Sequence, residues 1–546
     1  MPNAPKPVHF AAISYAKEVA CGTLSRREFL TRATSLGVGV AAAYGLLGLP
    51  APARAATARA GGTLRIQQEV MALKDPRTYD WPQMSNVTRG WLEYLVEYNR
   101  DGTIAPMLLE SWNINADATE YVLNLRKGVS WNDGTPFTAQ DVAFNIVRWC
   151  EKGVEGNSMA SRMTPLIDPE SGTAREDAIA VVDEHTVRLR LAAPDITLIA
   201  GFSDYPAAIV PQGFTGDPLE NPIGTGPYLP ADYQVGVRAV LEKNTGHAWW
   251  GQGAYLDRIE FLDYGSDMAT AVSAADAGEV DMLYESLGEF IEVLDAIGWE
   301  RSQTVTAATV LTRTHQPARI DGQTPYADAR VRRALAMAVD NAVCLELGYA
   351  GRGHVAENHH VCPIHPEYAE MPAPTFDPTA AHALMEDAGM LDFEHELVSI
   401  DDTWRRATTD AVAAQLRDAG FRVKRTIIPG ATFWNDWTKY PFSTTDWAHR
   451  PLGVQVLALA YRSGETWNET GFSNAEFDKT LTRAMAIADA DERRILMARL
   501  QQILRDEGVI IQPYWRSTYR HHVPGLVGAE QHPTFEMHLY KIGWAA

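Results

Sequence analysis

The sequence predicts an α/β protein built of more than one lobe, and three observations carry that expectation. The chain has 546 residues, 46% hydrophobic and 21% charged, too long for one compact core and suited to two or three subdomains. Segments with the period of a strand alternate with segments with the period of a helix. Residues 397–400, 408–419 and 422–428 read as strand, helix and strand, a βαβ unit that implies parallel pairing and a right-handed crossover.

Taken in order, the chain opens with a basic segment. Its first 55 residues hold six Lys or Arg and two acids. Ser25-Arg26-Arg27-Glu28-Phe29-Leu30 stands just before the apolar run 36–49, and Ala53-Arg54-Ala55 follows. The run is too short and too rich in glycine for a stable membrane span. The hexapeptide resembles the twin-arginine export signal, so residues 1–58 read as a leader that is removed. The alternative is a cytoplasmic N-terminal helix in which the arginine pair has no export role.

Gly61-Gly62-Thr63-Leu64-Arg65-Ile66 and Val96-Glu97-Tyr98, the latter followed by the turn Asn99-Arg100-Asp101-Gly102, read as strands and a turn. In 120–126, Tyr121, Leu123 and Leu125 alternate with polar or lighter residues, so one strand face lies on a core. Thr138-Ala139-Gln140-Asp141 has the spacing of a capping box and starts a helix. Val331, Leu335 and Val339 make one apolar stripe of a helix over 328–339. Residues 484–505 read as one long helix and 509–514 as an apolar strand. Outside the leader there is no repeat and no low-complexity tract.

The formal net charge is −21; it would repel phosphate backbones, and nucleic acid is not an expected partner. After the leader, no run reaches about 18 apolar residues, the length a membrane helix needs. Cys150, Cys344 and Cys362 form an odd set once Cys21 leaves with the leader, so at most one disulfide forms within the chain. Cys344 and Cys362 are the closer pair in sequence, which does not fix their Cα separation.

Several segments occur in one order along the chain. They are Ala105-Pro106-Met107-Leu108-Leu109-Glu110-Ser111-Trp112, continued by Leu125-Arg126-Lys127-Gly128-Val129 and Trp131-Asn132-Asp133-Gly134; Asn221-Pro222-Ile223-Gly224-Thr225-Gly226-Pro227-Tyr228; Ala277-Gly278-Glu279-Val280-Asp281; Val331-Arg332-Arg333-Ala334-Leu335; and Phe472-Ser473-Asn474-Ala475-Glu476-Phe477-Asp478. This series resembles the large extracellular solute-binding family 5, the ABC importer binding proteins that carry peptides, nickel chelates and opines. The resemblance implies a two-lobed periplasmic-binding-protein clamshell of the large type, with an extra subdomain in lobe I. Lobe I would comprise 59–308 and 510–546, and lobe II 309–509, with crossovers near 309–314 and 510–515 as the hinge. It further implies a periplasmic location, an inner-membrane ABC permease as partner, a monomer, and no cofactor.

The dipeptide-binding members have a Trp three residues before an Asp that holds the peptide ammonium. Here the matching run is Trp447-Ala448-His449-Arg450, and a guanidinium matches a carboxylate or phosphate fork instead. Arg450 is thus expected to meet an anionic group of the ligand, or else to lie on the surface or in an internal ion pair. Phe433, Trp434, Trp437, Trp447 and Trp467 cluster in lobe II; Trp434, Trp447 and Trp467 are expected at the pocket, with core packing as the alternative for any of them. In lobe I the loop Thr78-Tyr79-Asp80-Trp81 offers Tyr79 and Trp81.

His359-His360-Val361-Cys362-Pro363-Ile364-His365 offers metal-ligand side chains, but its spacing matches no standard zinc pattern. No metal site is assigned to it, and Asn358 and His359 are expected as hydrogen-bonding residues for the ligand. The chain lacks a nucleophile elbow, a His-Glu-x-x-His, a P-loop and a dinucleotide fingerprint. A binding protein for a peptide-like or other small carboxylate-bearing solute is the expectation. An exported hydrolase of peptides or esters, or a sensor or chaperone on the same fold, is the alternative.

Overall fold

The computed structural model describes residues 10–22, 24–49, 58–115, 118–487 and 489–546. Lys6 of the basic leader segment, the Ala53-Arg54-Ala55 pattern, and Ala116-Asp117 of the stretch that joins Trp112 to Leu125 in the family-like series lie outside the described residues.

A mixed twelve-stranded sheet runs through both lobes of a clamshell. In lobe I, Thr63–Gln67 lies between Arg258–Leu262 and Met282–Leu283, parallel to both. Arg238–Lys243 and Tyr228–Gln234 extend that edge antiparallel. Leu64 and Ile66 are fully buried in the apolar core of this lobe, as the alternation of their strand requires. In lobe II, Glu394–Ile400 and Arg422–Ile428 pair in parallel, and the helix Thr403–Asp418 crosses between them. That helix starts five residues before its apolar period becomes visible, because the Asp402 carboxylate accepts from the N–H groups of Arg405 and Arg406 and supplies the cap.

Two long strands join the lobes. Glu300–Thr314 pairs antiparallel with Tyr514–His522, from Glu300 opposite His522 to Val305 opposite Ser517. The register shifts between Val305 and Thr309. Beyond the shift, the first strand runs on against Phe442–Trp447 and the short Ile510–Ile511. The expected strand 509–514 is therefore two pieces; Pro513 between them has no N–H for the ladder. The expected helix 484–505 is likewise two, Ala475–Met485 and Ala490–Asp506, because Asp489 accepts from the N–H groups of Asp491 and Glu492 and begins a new helix.

The extra subdomain of lobe I is a four-stranded antiparallel sheet in the order Leu109–Ile114, Glu120–Leu125, Thr186–Arg190, Ile179–Asp183. Tyr121, Leu123 and Leu125 face its core. Helix Ala139–Trp149 has its capping box: the Thr138 N–H donates to Asp141 Oδ2 at 2.8 Å. Gly224 lies against the chain at Trp91, where a Cβ would come within 1.9 Å of the Trp91 carbonyl oxygen. Cys150, Cys344 and Cys362 are buried free thiols.

Residues 10–22 and 24–49 hold three helices, Phe10–Ala20, Arg26–Ser35 and Val40–Leu46, with an apolar cluster of their own around Tyr15, Phe29, Leu30 and Tyr44. Ser25 and Glu28 form a capping box at the second helix, the Ser25 N–H donating to Glu28 Oε2 at 2.9 Å. The arginine pair thus occupies the first turn of a helix.

Candidate functional site

Parallel strands of both lobes end at one cleft. Thr63–Gln67 and Met282–Leu283 point their carboxyl ends at it from lobe I, and Glu394–Ile400, Arg422–Ile428 and Phe442–Trp447 from lobe II. The ladder stops there, so the side chains that follow each strand are free to face a ligand. They line a small cavity of about 70 Å³. A wider one of about 650 Å³ adjoins it and shares Trp81, Gln83, Tyr284, Glu285 and Arg405.

One wall is a run of aromatic rings that crosses from lobe to lobe. Trp81 of lobe I lies 4.3 Å from Trp434 and 6.1 Å from Trp437 between ring centroids. Trp437 continues to Trp447 at 6.3 Å, Trp447 to Trp467 at 5.8 Å, and Trp467 stacks on Tyr205 of lobe I at 6.0 Å. Flat rings of this kind give a large contact area at little rotamer cost. Trp447 is fixed from behind: its Nε1–H donates to Glu469 Oε1 at 2.7 Å, and the same carboxylate accepts from Arg313 Nε at 2.8 Å and from the Thr445 hydroxyl.

The polar wall consists of arginines, each held by a carboxylate of the protein. Arg405 donates through Nε to Asp446 at 2.7 Å and through a terminal nitrogen to Asp402, while lying 4.4 Å from the Trp404 ring. Burial opposes its charge, yet Asp446 and Asp402 hold the guanidinium above its ordinary pKa. Arg516 lies 3.9 Å from the Trp404 ring centroid and pairs with Glu285. Burial pushes the Glu285 carboxyl up, and Arg516 opposes that shift.

Arg450 lines the cavity and is an interlobe ion pair as well. Its Nε lies 3.1 Å from Asp204 Oδ2 of lobe I, its terminal nitrogen donates to the Ala448 and His449 carbonyls, and it sits 5.6 Å from the Trp467 ring. Arg162 pairs with the same Asp204. Burial alone would raise this carboxyl; the two guanidiniums hold it below its ordinary value.

Of the residues singled out in the sequence, the cleft brings together Trp81, Trp434, Trp447, Arg450 and Trp467. Tyr79 is fully buried beneath its loop, in one apolar cluster with Met84 and Tyr205. Asn358 and His359 lie away from the cavity because neighbours already engage them. Asn358 Oδ1 accepts from Asn341 Nδ2 at 3.0 Å and from the Gln512 N–H at 2.7 Å. His359 is buried, its Nε2 3.0 Å from Glu357 Oε2. Arg405, Asp446, Arg516, Glu285 and Tyr205 were not singled out. The position of Asp446 and Glu285 at the end of strands 442–447 and 282–283 was the available signal.

Among the described residues one set of His, Cys, Asp or Glu gathers its donor atoms within 4.8 Å, namely His532, Glu536 and His538. Both ring nitrogens of His532 are taken: Nε2 donates to the Tyr98 carbonyl at 3.0 Å, and Nδ1 accepts from the Thr534 N–H at 3.3 Å. That arrangement leaves no lone pair for an ion.

The profile of the bacterial extracellular solute-binding proteins, family 5 Middle, matches residues 103–468. The periplasmic oligopeptide-binding protein OppA of Escherichia coli is 25% identical over 85% of this chain and 90% of its own. The periplasmic binding protein DppA of Helicobacter pylori, solved in complex with peptide STSA, superposes with a TM-score of 0.79 at 19% identity, covering 89% of this chain and 99% of its own. AgaA of A. tumefaciens R10, solved with agropinic acid, gives a TM-score of 0.78 at 21% identity over 88% and 99%.

Proposed function

The chain belongs to the bacterial extracellular solute-binding proteins of family 5, and from that premise we propose that it is the periplasmic substrate-binding component of an ABC importer. It captures a peptide-like or other small carboxylate-bearing solute between its lobes and delivers it to the inner-membrane permease. The observation that carries this reading is the pair of adjoining cavities, about 70 and 650 Å³, walled by aromatic rings and charged groups from both lobes. A ligand that touches both walls favours the closed form, and that differential contact is what shifts a hinge equilibrium.

The polar wall supports the solute class. Arg405, Arg450 and Arg516 line the cavity together with Asp80, Glu285 and Asp446. A guanidinium has five N–H donors, more than one carboxylate takes up, so a ligand carboxylate adds to the existing pairs. An amine on the same molecule finds the acids. Relatives bind ligands of this kind: a peptide in DppA and agropinic acid in AgaA. The binding residues of the proposal are Trp81, Trp434, Trp447, Arg450 and Trp467, joined by Arg405 and Arg516. Lobe I comprises 59–308 and 510–546 and lobe II 309–509, and the hinge lies where the long strands 300–314 and 514–522 change partners. The protein acts as a monomer, exported by the twin-arginine route through Ser25 to Leu30, with residues 1–58 removed.

Mass spectrometry of the solute retained through native purification, followed by calorimetry with that solute, tests the reading. Reversible one-to-one binding without turnover is expected. Hydrolysis of the solute by the purified protein would replace import with the exported-hydrolase reading. For export, Arg26→Lys with Arg27→Lys should abolish periplasmic accumulation; normal fractionation of that variant would remove the twin-arginine route.

A further inference from the structure

The N-terminal hairpin touches both lobes and the strand between them. On lobe I, the Thr31 hydroxyl donates to the Gly102 carbonyl at 2.6 Å, and the Ile104 N–H donates to Thr34 Oγ1 at 2.8 Å. Trp112 Nε1–H donates to the Ser35 carbonyl at 3.1 Å, and the Tyr44 hydroxyl donates to Asp101 at 2.9 Å. The fit is close: a Cβ on Gly37 would lie 2.8 Å from the Trp112 carbonyl oxygen. From the same helix, Arg27 donates to the Val305 carbonyl at 3.2 Å, at the register shift of the crossing strand. One turn further on, Arg32 donates to the Pro366 carbonyl of lobe II at 2.8 Å. The Arg32 side chain is only 3% exposed, so this contact is built into the interface rather than laid on the surface.

We infer that residues 25–46 form an interlobe strap: in the chain that carries them they tie lobe I, the crossing strand and lobe II together at the back of the hinge and hold the lobes closed. The four lobe I contacts anchor the hairpin, and Arg27 and Arg32 are the two ties that an opening motion must break. A chain freed of the segment opens with fewer bonds to lose, and the full chain exchanges its solute more slowly. The inference rests on the lobe closure proposed above, and the experiment separates the two.

The full chain is used throughout, in a Cys21→Ser background that removes the exposed thiol, with spin labels at the exposed Glu184 of lobe I and Asp418 of lobe II. Docking is read from amide hydrogen exchange at Ile104: Thr34→Val keeps the shape but removes the acceptor, and the amide should exchange roughly tenfold faster. The lock is read from the label spacing, which should shift to longer distances in Arg27→Gln with Arg32→Gln while Ile104 stays protected. An Ile104 amide that exchanges equally fast in the native and Thr34→Val chains overturns the strap, because the hairpin is then undocked. A spacing unchanged in Arg27→Gln with Arg32→Gln but lengthened in Asp204→Asn, which breaks the interlobe ion pair at the front, overturns the strap and leaves lobe closure standing. A spacing that neither change moves overturns both.

Discussion

Arg450 and Asp204 meet across the cleft, Nε to Oδ2 at 3.1 Å, with side chains 3% and 7% exposed. Arg162 shares the carboxylate, so one acid neutralises two buried cations from opposite lobes. Arg450 is thereby a closing contact of the protein itself.

Asp204→Asn leaves two guanidiniums facing each other, and breaking a buried pair in this way costs about 3–5 kcal/mol. Arg450→Ala should cost less, since Arg162 still pairs with Asp204. Urea unfolding of both variants checks the order. The carboxyl is held below its ordinary value, so its contribution is present above about pH 4 and is lost as pH falls through the folded value. Equal stability of Asp204→Asn and the native protein at neutral pH would refute the pairing.

Trp81→Ala removes a ring that closes on lobe II but carries no buried polar partner. It should weaken solute binding by about tenfold, or 1.4 kcal/mol, with little loss of stability. Trp447→Phe keeps the wall but leaves Glu469 short of one donor, which costs roughly 1–3 kcal/mol of stability. Calorimetry beside thermal unfolding separates the two roles; a Trp447→Phe protein as stable as the native one would count against the second.

His395 is buried against Phe393, Tyr326 and Phe442, and burial pushes its pKa down to about 4. An unfolded chain takes up the proton near pH 6.5, so this group's contribution is complete above that pH and declines as pH falls toward 4. The span corresponds to about 3 kcal/mol. His395→Phe should flatten the stability profile between pH 6.5 and 4 in denaturant titrations; an unaltered slope would exclude the assignment.

Gly224→Ala sets a Cβ within 1.9 Å of a backbone oxygen, where no side-chain rotation gives relief. A loss of at least about 4 kcal/mol, or no soluble protein, is expected. Gly246→Ala, whose Cβ would meet only the Asn244 side chain at 3.4 Å, should behave as the native protein does.

The two-lobed α/β fold was legible because periods survive in the chain. Tyr121, Leu123 and Leu125 mark a strand whichever partner it finds, and the unit at 397–428 can close in only one hand. Interruptions were less legible: Pro513 and Asp489 break elements through one missing or one added hydrogen bond, which averaging over a window conceals. At the site, large rings could be found because few places accommodate them, hence Trp81, Trp434, Trp447 and Trp467. The partners of charged groups could not. Arg405 finds Asp446 across 41 positions and Arg516 finds Glu285 across 231, separations that only the folded sheet brings together. Asn358 and His359 show the converse, since polar residues in a loop look available until the hydrogen bonds that occupy them are known.

The strands of both lobes stop pairing at Gln67, Leu283, Ile400, Ile428 and Trp447, and the cavity is lined by strand ends and by the residues beyond them. Trp447 and Arg516 belong to the ladder, but Trp81, Arg405, Trp434, Arg450 and Trp467 stand outside it. Exchanging them alters which cargo is accepted while the architecture keeps its full complement of main-chain bonds, so a lineage can change diet without passing through a misfolded ancestor.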